Sequence, residues 1–292
     1  MTTTAATMTA TPARTATARS SAHHTTRVQG RQTFPRAVHA EWLKVWTLRS
    51  TWLTSAITVA ITVLLGAGIA IAYIRLGDTE ATARYAITAG LSFGQIAVAV
   101  LGTLVITGEY ASGQIRSSLA AVPRRGQLLA AKAIVVAAVS FLLGVVSIFL
   151  SWAISAPFLN GHAGSLLDAE YLGFFWGAGL SYAGIALMSM GLGFLMRSTA
   201  GSISVAMTLL FVLAIPLQIL GEKWNWALKI LGLLPASVQS AVVDPFSLVT
   251  TWGSTEPNAI NFLEHWQAVA VFAAWAIVPV LAAWAVFSRR DA

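Results

Sequence analysis

Six long apolar stretches without a single Asp, Glu, Lys or Arg constrain this sequence more than any other feature. Each approaches or exceeds the roughly 20 residues that a helix needs to cross a lipid bilayer. Only 10% of the residues are charged, whereas soluble domains carry about 25%. The sequence therefore predicts an all-α, polytopic membrane protein with a transmembrane domain over residues 52–290. The six predicted transmembrane helices cover residues 52–74, 87–107, 133–158, 171–196, 199–220 and 266–287.

The basic residues are divided unevenly between the two sides that six spans create. If the N-terminus lies in the cytoplasm, 14 of the 18 Lys and Arg residues fall on the inner side, and only Arg75, Arg84, Lys223 and Lys229 fall outside. Inner loops of membrane proteins carry such an excess. We therefore expect a multi-pass plasma membrane protein with both termini in the cytoplasm. Topology then accounts for the net charge of +7, and no nucleic-acid partner is needed.

The residues before the first span form two segments of different character. Residues 1–33 are rich in Thr, Ala, Arg and Ser and poor in large apolar side chains, so we expect a disordered cytoplasmic tail. Residues 34–51 have helical periodicity and predict an amphipathic helix at the inner membrane surface. A plain juxtamembrane anchor is the alternative. The apolar arc comprises Val38, Trp42, Val45 and Trp46, and the remaining side carries Arg36, Glu41 and Lys44.

The connection between spans two and three is predicted to contain a helix at the inner membrane face. Helix-compatible residues run from Glu109 to Ala121, Pro123 ends them, and Arg124 and Arg125 follow. Glu109 is expected to cap the start of this segment, where the helix dipole favours a negative charge. The segment could receive a soluble partner, or it could be a basic loop that only fixes topology.

The longest predicted outer loop, residues 221–265, is rich in aromatic and aliphatic side chains. It contains Trp224, Trp226, Pro235 and Trp252. Trp side chains are enriched at the membrane–water interface. We therefore expect short helices that rest on the outer interface rather than an unstructured linker.

The sequence does not predict that this chain hydrolyses ATP. Residues 91–95, LSFGQ, resemble the LSGGQ signature of ATP-binding cassette (ABC) ATPases, but they lie inside a predicted span. None of the four lysines follows a glycine, as the phosphate-binding P-loop requires. Any ATP and Mg²⁺ would therefore be bound by a partner subunit.

The sequence gives little support for another enzymatic activity or for a bound cofactor. Residues 90–94 spell GxSxG, but a serine nucleophile needs a nearby base, and the only histidines beyond the N-terminal region, His162 and His265, lie outside the spans. An intramembrane serine protease is a lesser alternative. Cysteine is absent, and no metal-binding motif is present, so we expect no metal and no bound cofactor. Ion-coupled transport is disfavoured because the spans lack ionisable residues.

Two stretches resemble a known family. Residues 41–44 (EWLK) and 48–52 (LRSTW) precede the first span, and residues 109–116 (EYASGQIR) are followed by Leu119, Pro123, Arg124 and Lys132. The second stretch is similar to the E-Y-x-x-G-x-I-R-x-x-L-x-x-x-P-x-R pattern of permease subunits of type-2 ABC exporters, of the actinobacterial type. The resemblance covers most of the chain beyond residue 36.

The resemblance implies a permease that pairs with a second permease subunit, as a homodimer or heterodimer, and recruits separate ATPase subunits. It also implies a cargo path along spans one, two and five. Because those spans lack charge, we expect an amphiphilic or apolar cargo. A non-transporting membrane scaffold or sensor is the alternative. By the same resemblance, the residues that couple the permease to the ATPase are Glu41, Trp42, Lys44, Glu109, Tyr110, Gly113, Arg116, Pro123, Arg124 and Arg125.

Overall fold

The computed structural model describes residues 33–77, 80–122, 124–159, 165–247 and 250–289. The predicted tail lies outside them, except for Thr33. In the described part of the chain the secondary structure is entirely helical. Its α-helices are α1 (Phe34–Thr47), α2 (Arg49–Leu76), α3 (Glu80–Ala86), α4 (Leu91–Ser112), α5 (Gln114–Ala121), α6 (Arg125–Ser155), α7 (Ala169–Met196), α8 (Thr199–Met207), α9 (Ala214–Gly221), α10 (Asn225–Leu233), α11 (Pro235–Val243) and α12 (His265–Arg289).

In the part of the chain that the structure describes, six helical segments are long and apolar enough to cross a membrane, which confirms the predicted number of spans. Each contains one predicted stretch and extends it at one or both ends. The extensions bring charged residues, including Glu109 and Lys132, onto the span helices. We number the spans one to six in chain order: Arg49–Leu76, Arg84–Ser112, Arg125–Phe158, Ala169–Met196, Thr199–Gly221 and His265–Phe287.

Spans two and four form the centre of the bundle. In their most apolar windows, 61% of span two and 67% of span four is buried, against 17% in spans five and six. Glycines allow the close packing. A Cβ atom at Gly102 of α4 would lie 2.3 Å from the carbonyl oxygen of Ala186 on α7, and one at Gly144 of α6 would lie 2.4 Å from that of Ala178. Small residues are the usual means by which membrane helices approach closely.

Span five contains a local widening. Between α8 and α9, residues Thr208–Val212 form a π-helical turn, and the Leu213 amide donates to the carbonyl oxygen of Thr208. Pro216 in the next turn has no N–H, and a proline ring crowds the carbonyl four residues earlier. The wider turn accommodates this proline without ending the span.

The segment after span five is only partly as predicted. It does contain short helices, α10 and α11, which meet at a bend of 57°. α11 is packed inside the protein and not laid on its surface, because Val238 and Ala241 are fully buried and Gln239 is 5% exposed. α11 contacts α7 and α12. It is therefore part of the bundle, whereas α10 exposes Trp226 and Ile230.

Candidate functional site

Four charged side chains from three helices meet where α1 packs against the bundle. Glu41 and Lys44 come from α1, Glu109 from the last turn of α4, and Lys132 from the second turn of α6. We call these four residues the ion cluster, and the end of the bundle that contains them the α1 end. The cluster joins helices that are far apart in the sequence.

Each lysine of the ion cluster contacts both carboxylates. Lys132 Nζ lies 2.7 Å from Glu41 Oε2 and 2.6 Å from Glu109 Oε1. Lys44 Nζ lies 2.7 Å from Glu41 Oε1 and 2.9 Å from Glu109 Oε1. Positive and negative groups therefore alternate around a closed ring, and the four formal charges cancel.

Ser118 of α5 adds a neutral member to the ring. Its hydroxyl accepts a hydrogen bond from Lys44 Nζ at 3.0 Å and donates one to Glu109 Oε2 at 3.3 Å. Both oxygens of Glu109 are thereby bonded. α5 is thus tied to the same charges that connect α1, α4 and α6.

The ion cluster is largely sealed from solvent. The Lys132 side chain is 0% exposed, those of Glu41 and Glu109 are 6% and 8% exposed, and that of Lys44 is 27% exposed. Charges at such burial are stabilised only when every one is paired. Removing one partner of a buried ion pair costs about 3–5 kcal/mol. The ring therefore constrains α1, α4 and α6 to keep their relative positions.

The buried position of Glu41 contradicts the predicted arrangement of α1, in which an apolar arc is buried and the polar side is exposed. The buried face of α1 consists of Ala37, Glu41 and Val45, at intervals of four residues. Trp46, which belongs to the predicted apolar arc, is 48% exposed. α1 packs against α6, and the charge on Lys132 is what draws Glu41 inward.

The prediction of a single helix over residues 109–121 is wrong at Glu109 and at Gly113. Glu109 does not cap the start of a helix; it lies near the C-terminus of α4, where the helix dipole disfavours a negative charge. Lys44 and Lys132 supply the compensating charge. The predicted helix is two helices, because Gly113 has a left-handed conformation (φ +72°) that ends α4 before α5 begins.

The surroundings of Lys44 keep it charged. Partial burial alone would lower the pKa of its ammonium group. Hydrogen bonds to the carboxylates of Glu41 and Glu109, and attraction to their negative charges, outweigh the burial and hold the pKa above its usual value. Lys44 is therefore a permanent cation across the physiological pH range.

Comparison with known protein families identifies the family to which this chain belongs. The sequence model of the ABC-2 family of transporter proteins matches residues 36–292, which is nearly the whole chain. The chain belongs to the ABC-2 transporter family. It is thus the membrane permease of an ABC transporter, and the family implies a separate ATPase partner. No curated protein matches the chain.

The other residues predicted to couple this ABC-2 permease to its ATPase differ in exposure: some face solvent, and others contact side chains or backbone within the bundle. Arg116, Gly113 and Arg124 are exposed. Tyr110 and Arg125 are engaged within the bundle: the Arg197 guanidinium lies 5.3 Å from the Tyr110 ring centroid, and Arg125 donates to the carbonyl oxygen of Phe287 at 3.1 Å. Trp42 packs against Trp46 at 6.0 Å between ring centroids. Pro123 lies outside the described residues.

Lys132 and Ser118 are members of the site that sequence reasoning misses. From the sequence, Lys132 is one of the inner basic residues and ends the family-like stretch, but nothing there assigns it a coupling role. A signal does exist, because Leu128, Leu129, Val135 and Val136 lie three and four positions away on the same face of α6, and all four are buried. A lysine in the middle of an apolar helical face requires a buried carboxylate partner.

The two motifs that imitate catalytic signatures serve helix packing in the permease. Gly94 lies close to other helices, since a Cβ atom there would overlap the Tyr182 hydroxyl and Thr62 Oγ1. His265, one of the two histidines considered as a base for the GxSxG serine, instead contacts α11: its Nε2 is 2.8 Å from the carbonyl oxygen of Ala241. Among the described residues, no group of three or more His, Asp or Glu side chains is arranged to hold a metal ion.

A cavity of about 300 Å³ opens beside the ion cluster between α1, α2 and α4. Glu41, Lys44 and Glu109 border one part of it. The rest is lined mainly by apolar and hydroxyl side chains of spans one and two, among them Thr54, Leu101, Leu104 and Val105. The cavity therefore combines a charged border with an apolar wall.

Proposed function

We propose that this ABC-2 permease exports an amphiphilic or apolar cargo, with its α1 end in the cytoplasm, where the ATPase subunit binds. The observation that carries the proposal is the ion cluster. It links α1 and α5, the elements nearest to the α1-end surface, to span helices α4 and α6. A displacement imposed on α1 or α5 by an ATPase would therefore be transmitted to spans two and three.

Exposed basic residues support the same docking surface. Arg116 of α5 and Arg124 before α6 are exposed at the α1 end. Both could pair with acidic groups on an ATPase subunit. Arg125, in contrast, is held against α12, so we assign it to positioning α6 rather than to direct contact with the partner.

The cavity beside the ion cluster supports the amphiphilic nature of the cargo. Its wall from spans one and two suits an apolar body, and its border at Glu41, Lys44 and Glu109 suits a polar group. Charges border this cavity, so a cargo path that includes it would not be free of charge as the sequence analysis expects. The apolar faces that spans five and six leave exposed are available to a second permease subunit.

Orientation can be tested directly because the chain has no cysteine. Single cysteines replacing Ser117 near Arg116, or Asn225 near Lys223, would be probed with a membrane-impermeant maleimide in intact cells and in inside-out vesicles. We expect the cysteine at 117 to react only in vesicles and the one at 225 only in cells. The reverse pattern would exclude an ATPase contact at the α1 end.

Coupling is tested by separating ATPase binding from the ATPase response. Arg116→Glu should reduce co-purification of the ATPase subunit, whereas Lys223→Glu, an equally exposed reversal at the opposite end, should not. Glu109→Gln should retain co-purification but lower uptake of amphiphilic fluorescent dyes into inside-out vesicles. Unchanged binding in Arg116→Glu and unchanged uptake in Glu109→Gln would contradict the coupling role. A permease that never co-purifies with an ATPase would favour the scaffold alternative.

A further inference from the structure

A second concave surface lies on the other side of α1, between α1, α2 and α6. We call it the indole groove; it has a volume of about 160 Å³. It adjoins the ion-cluster cavity at Val45 and Thr51, which line both, but it opens toward α6, whereas the cavity opens toward α4. Its defining side chains are Trp42, Trp46, Trp52, Val139, Leu142 and Val146.

The tryptophans of the groove are held in place by one another. The rings of Trp46 and Trp52 meet edge to face with centroids 4.9 Å apart. The Trp52 indole N–H donates to the Trp46 carbonyl oxygen at 2.9 Å, across the junction between α1 and α2. The polar atom of Trp52 is thereby used, and the groove presents mainly carbon to an occupant.

The groove continues into the apolar outer surface of spans one and three. Leu53 is 64% exposed and Leu142 is 51% exposed, and both lie on span helices. In a membrane such surfaces are covered by lipid chains. A cavity of roughly 150 Å³ lined by apolar side chains is large enough to bind benzene, so this groove has room for a short length of hydrocarbon chain.

A cation stands beside the groove. Arg49, the first residue of α2, is three positions before Trp52 and therefore on the same side of the helix. It is exposed, and the first turn of α2 contains no acidic residue. Within the described residues Arg49 has no carboxylate partner. An anionic group at the groove would supply one.

We propose that the indole groove binds one acyl chain of an anionic phospholipid, whose phosphate pairs with Arg49. Apolar walls continuous with the lipid-facing surface select a chain, and the Arg49 guanidinium, which no described carboxylate neutralises, selects a negative head group. The bound lipid fills the space that α1 leaves against α2 and α6. The site involves neither ATP nor cargo, so its test is independent of the proposed export function.

The test uses the full-length permease in lipid nanodiscs. Trace phosphatidylglycerol carrying a diazirine in one acyl chain is compared with phosphatidylcholine carrying the same chain, and labelled residues are mapped by mass spectrometry. We expect phosphatidylglycerol to label residues 42–55 and 139–146 severalfold more than phosphatidylcholine does. Labelling near Trp266, which is 65% exposed on α12, should be the same for both lipids.

Variants then assign the labelling to the groove. Leu142→Trp, which fills it, should reduce the label severalfold, whereas Ile134→Trp, at an exposed position on the same helix outside the groove, should not. Arg49→Gln should remove the preference for phosphatidylglycerol, and Arg49→Lys should keep it. An unchanged Trp266 label shows that each variant is still inserted in the bilayer.

Three results would overturn the proposal. Equal labelling by the two lipids would show that Arg49 selects no anion. Undiminished labelling in Leu142→Trp would show that the chain lies elsewhere. Cross-links from the groove to a second copy of the permease would show that protein, rather than lipid, covers this surface.

Discussion

The α1 end and the opposite end of this permease are held together by different interactions. At the α1 end, four buried charges form a closed ring across α1, α4 and α6. At the opposite end, where α10 and α11 lie, the buried contacts include close approaches of backbone and hydrogen bonds between neutral side chains. A Cβ atom at Gly177 of α7 would lie 2.4 Å from the Val242 carbonyl oxygen of α11, and Gln239 donates to Ser181.

One ion pair at the opposite end is partly exposed to solvent. Arg84 and Glu170 approach to 3.5 Å, but their side chains are 26% and 21% exposed. Partly exposed pairs of this kind contribute about 0–1 kcal/mol. Buried Asp244 accepts hydrogen bonds from the amide and hydroxyl of Thr250.

The difference suggests that the two ends respond differently to an applied displacement. Close backbone packing cannot be adjusted without a clash, so the opposite end is suited to a fixed arrangement. A ring of paired charges resists any movement that separates its members, so the α1 end is suited to moving as one unit. Substitutions at the two ends can test this contrast.

The largest expected effect follows from removing one charge of the ring. Lys132→Met leaves two buried carboxylates against a single ammonium group and should destabilise the permease by about 3–5 kcal/mol. The measurement is the shift in thermal unfolding, followed by circular dichroism in one detergent. Lys223→Met, at an exposed lysine of the opposite end, is the control and should cost less than about 1 kcal/mol.

Double variants separate a ring from an isolated ion pair. Lys132→Met combined with Glu109→Gln removes one charge of each sign and should recover most of the lost stability. Exchanging the two residues, Glu109→Lys with Lys132→Glu, should not recover it, because the new ammonium group at position 109 would meet Lys44 and the new carboxylate at position 132 would meet Glu41. Recovery by the exchange would show that Glu41 and Lys44 are outside the network.

Packing at the opposite end predicts the next largest effect. Gly177→Ala places a methyl group against the backbone of α11, which cannot move aside as a flexible side chain would, and should cost about 1–3 kcal/mol. Gly68→Ala in α2 meets no atom within 4 Å and should be neutral or slightly stabilising. Equal unfolding temperatures for the two variants would contradict the tight α7–α11 contact.

Two glycines, one at each end of the permease, have the same left-handed conformation. Substituting each of them tests whether only the α1 end binds the ATPase. Gly113 (φ +72°) joins α4 to α5, and Gly77 (φ +82°) ends α2; a Cβ atom added at either glycine would meet no atom within 4 Å. Alanine at either site should cost about 1–2 kcal/mol. Only Gly113→Ala should also reduce ATPase co-purification, because it shifts Ser118 and Arg116. Equal binding by both variants would argue against a role for α5.

The smallest expected effect is the pH dependence of the stability that Lys44 contributes. The pKa of Lys44 is raised above its ordinary value of 10.5, so its stabilising contribution is present below that value and is lost as the pH rises through the raised pKa. The difference in unfolding temperature between the wild type and Lys44→Met should therefore be constant from neutral pH up to the ordinary lysine value and shrink above it. A difference that shrinks near neutral pH would show that Lys44 is not held by the carboxylates.

Several features of the fold can be predicted because they depend on local sequence. Uncharged stretches of sufficient length must be helical in lipid, since every backbone N–H and C=O has to be bonded internally. Periodicity and aromatic content likewise predict α1 and the short helices after span five. The candidate site is predicted less completely: the sequence selects Glu41, Lys44 and Glu109, but it misses Lys132 and Ser118, and Arg125 bonds to α12.

The amino-acid sequence alone establishes that this chain is helical, that six of its segments can cross a membrane, and where the uncharged part of each span lies. It does not show that span three begins at Arg125 or that span two ends at Ser112. The packing of α1, α4 and α6 is what turns Glu41 inward, places Glu109 at the end of α4 rather than at the start of a helix, and brings Lys132 to both carboxylates. The physical reason is that hydrophobic length is a property of one segment. Pairing of buried charges depends on which helices pack side by side, and neighbours 91 residues apart in the chain, such as Glu41 and Lys132, leave no periodic signal of their pairing.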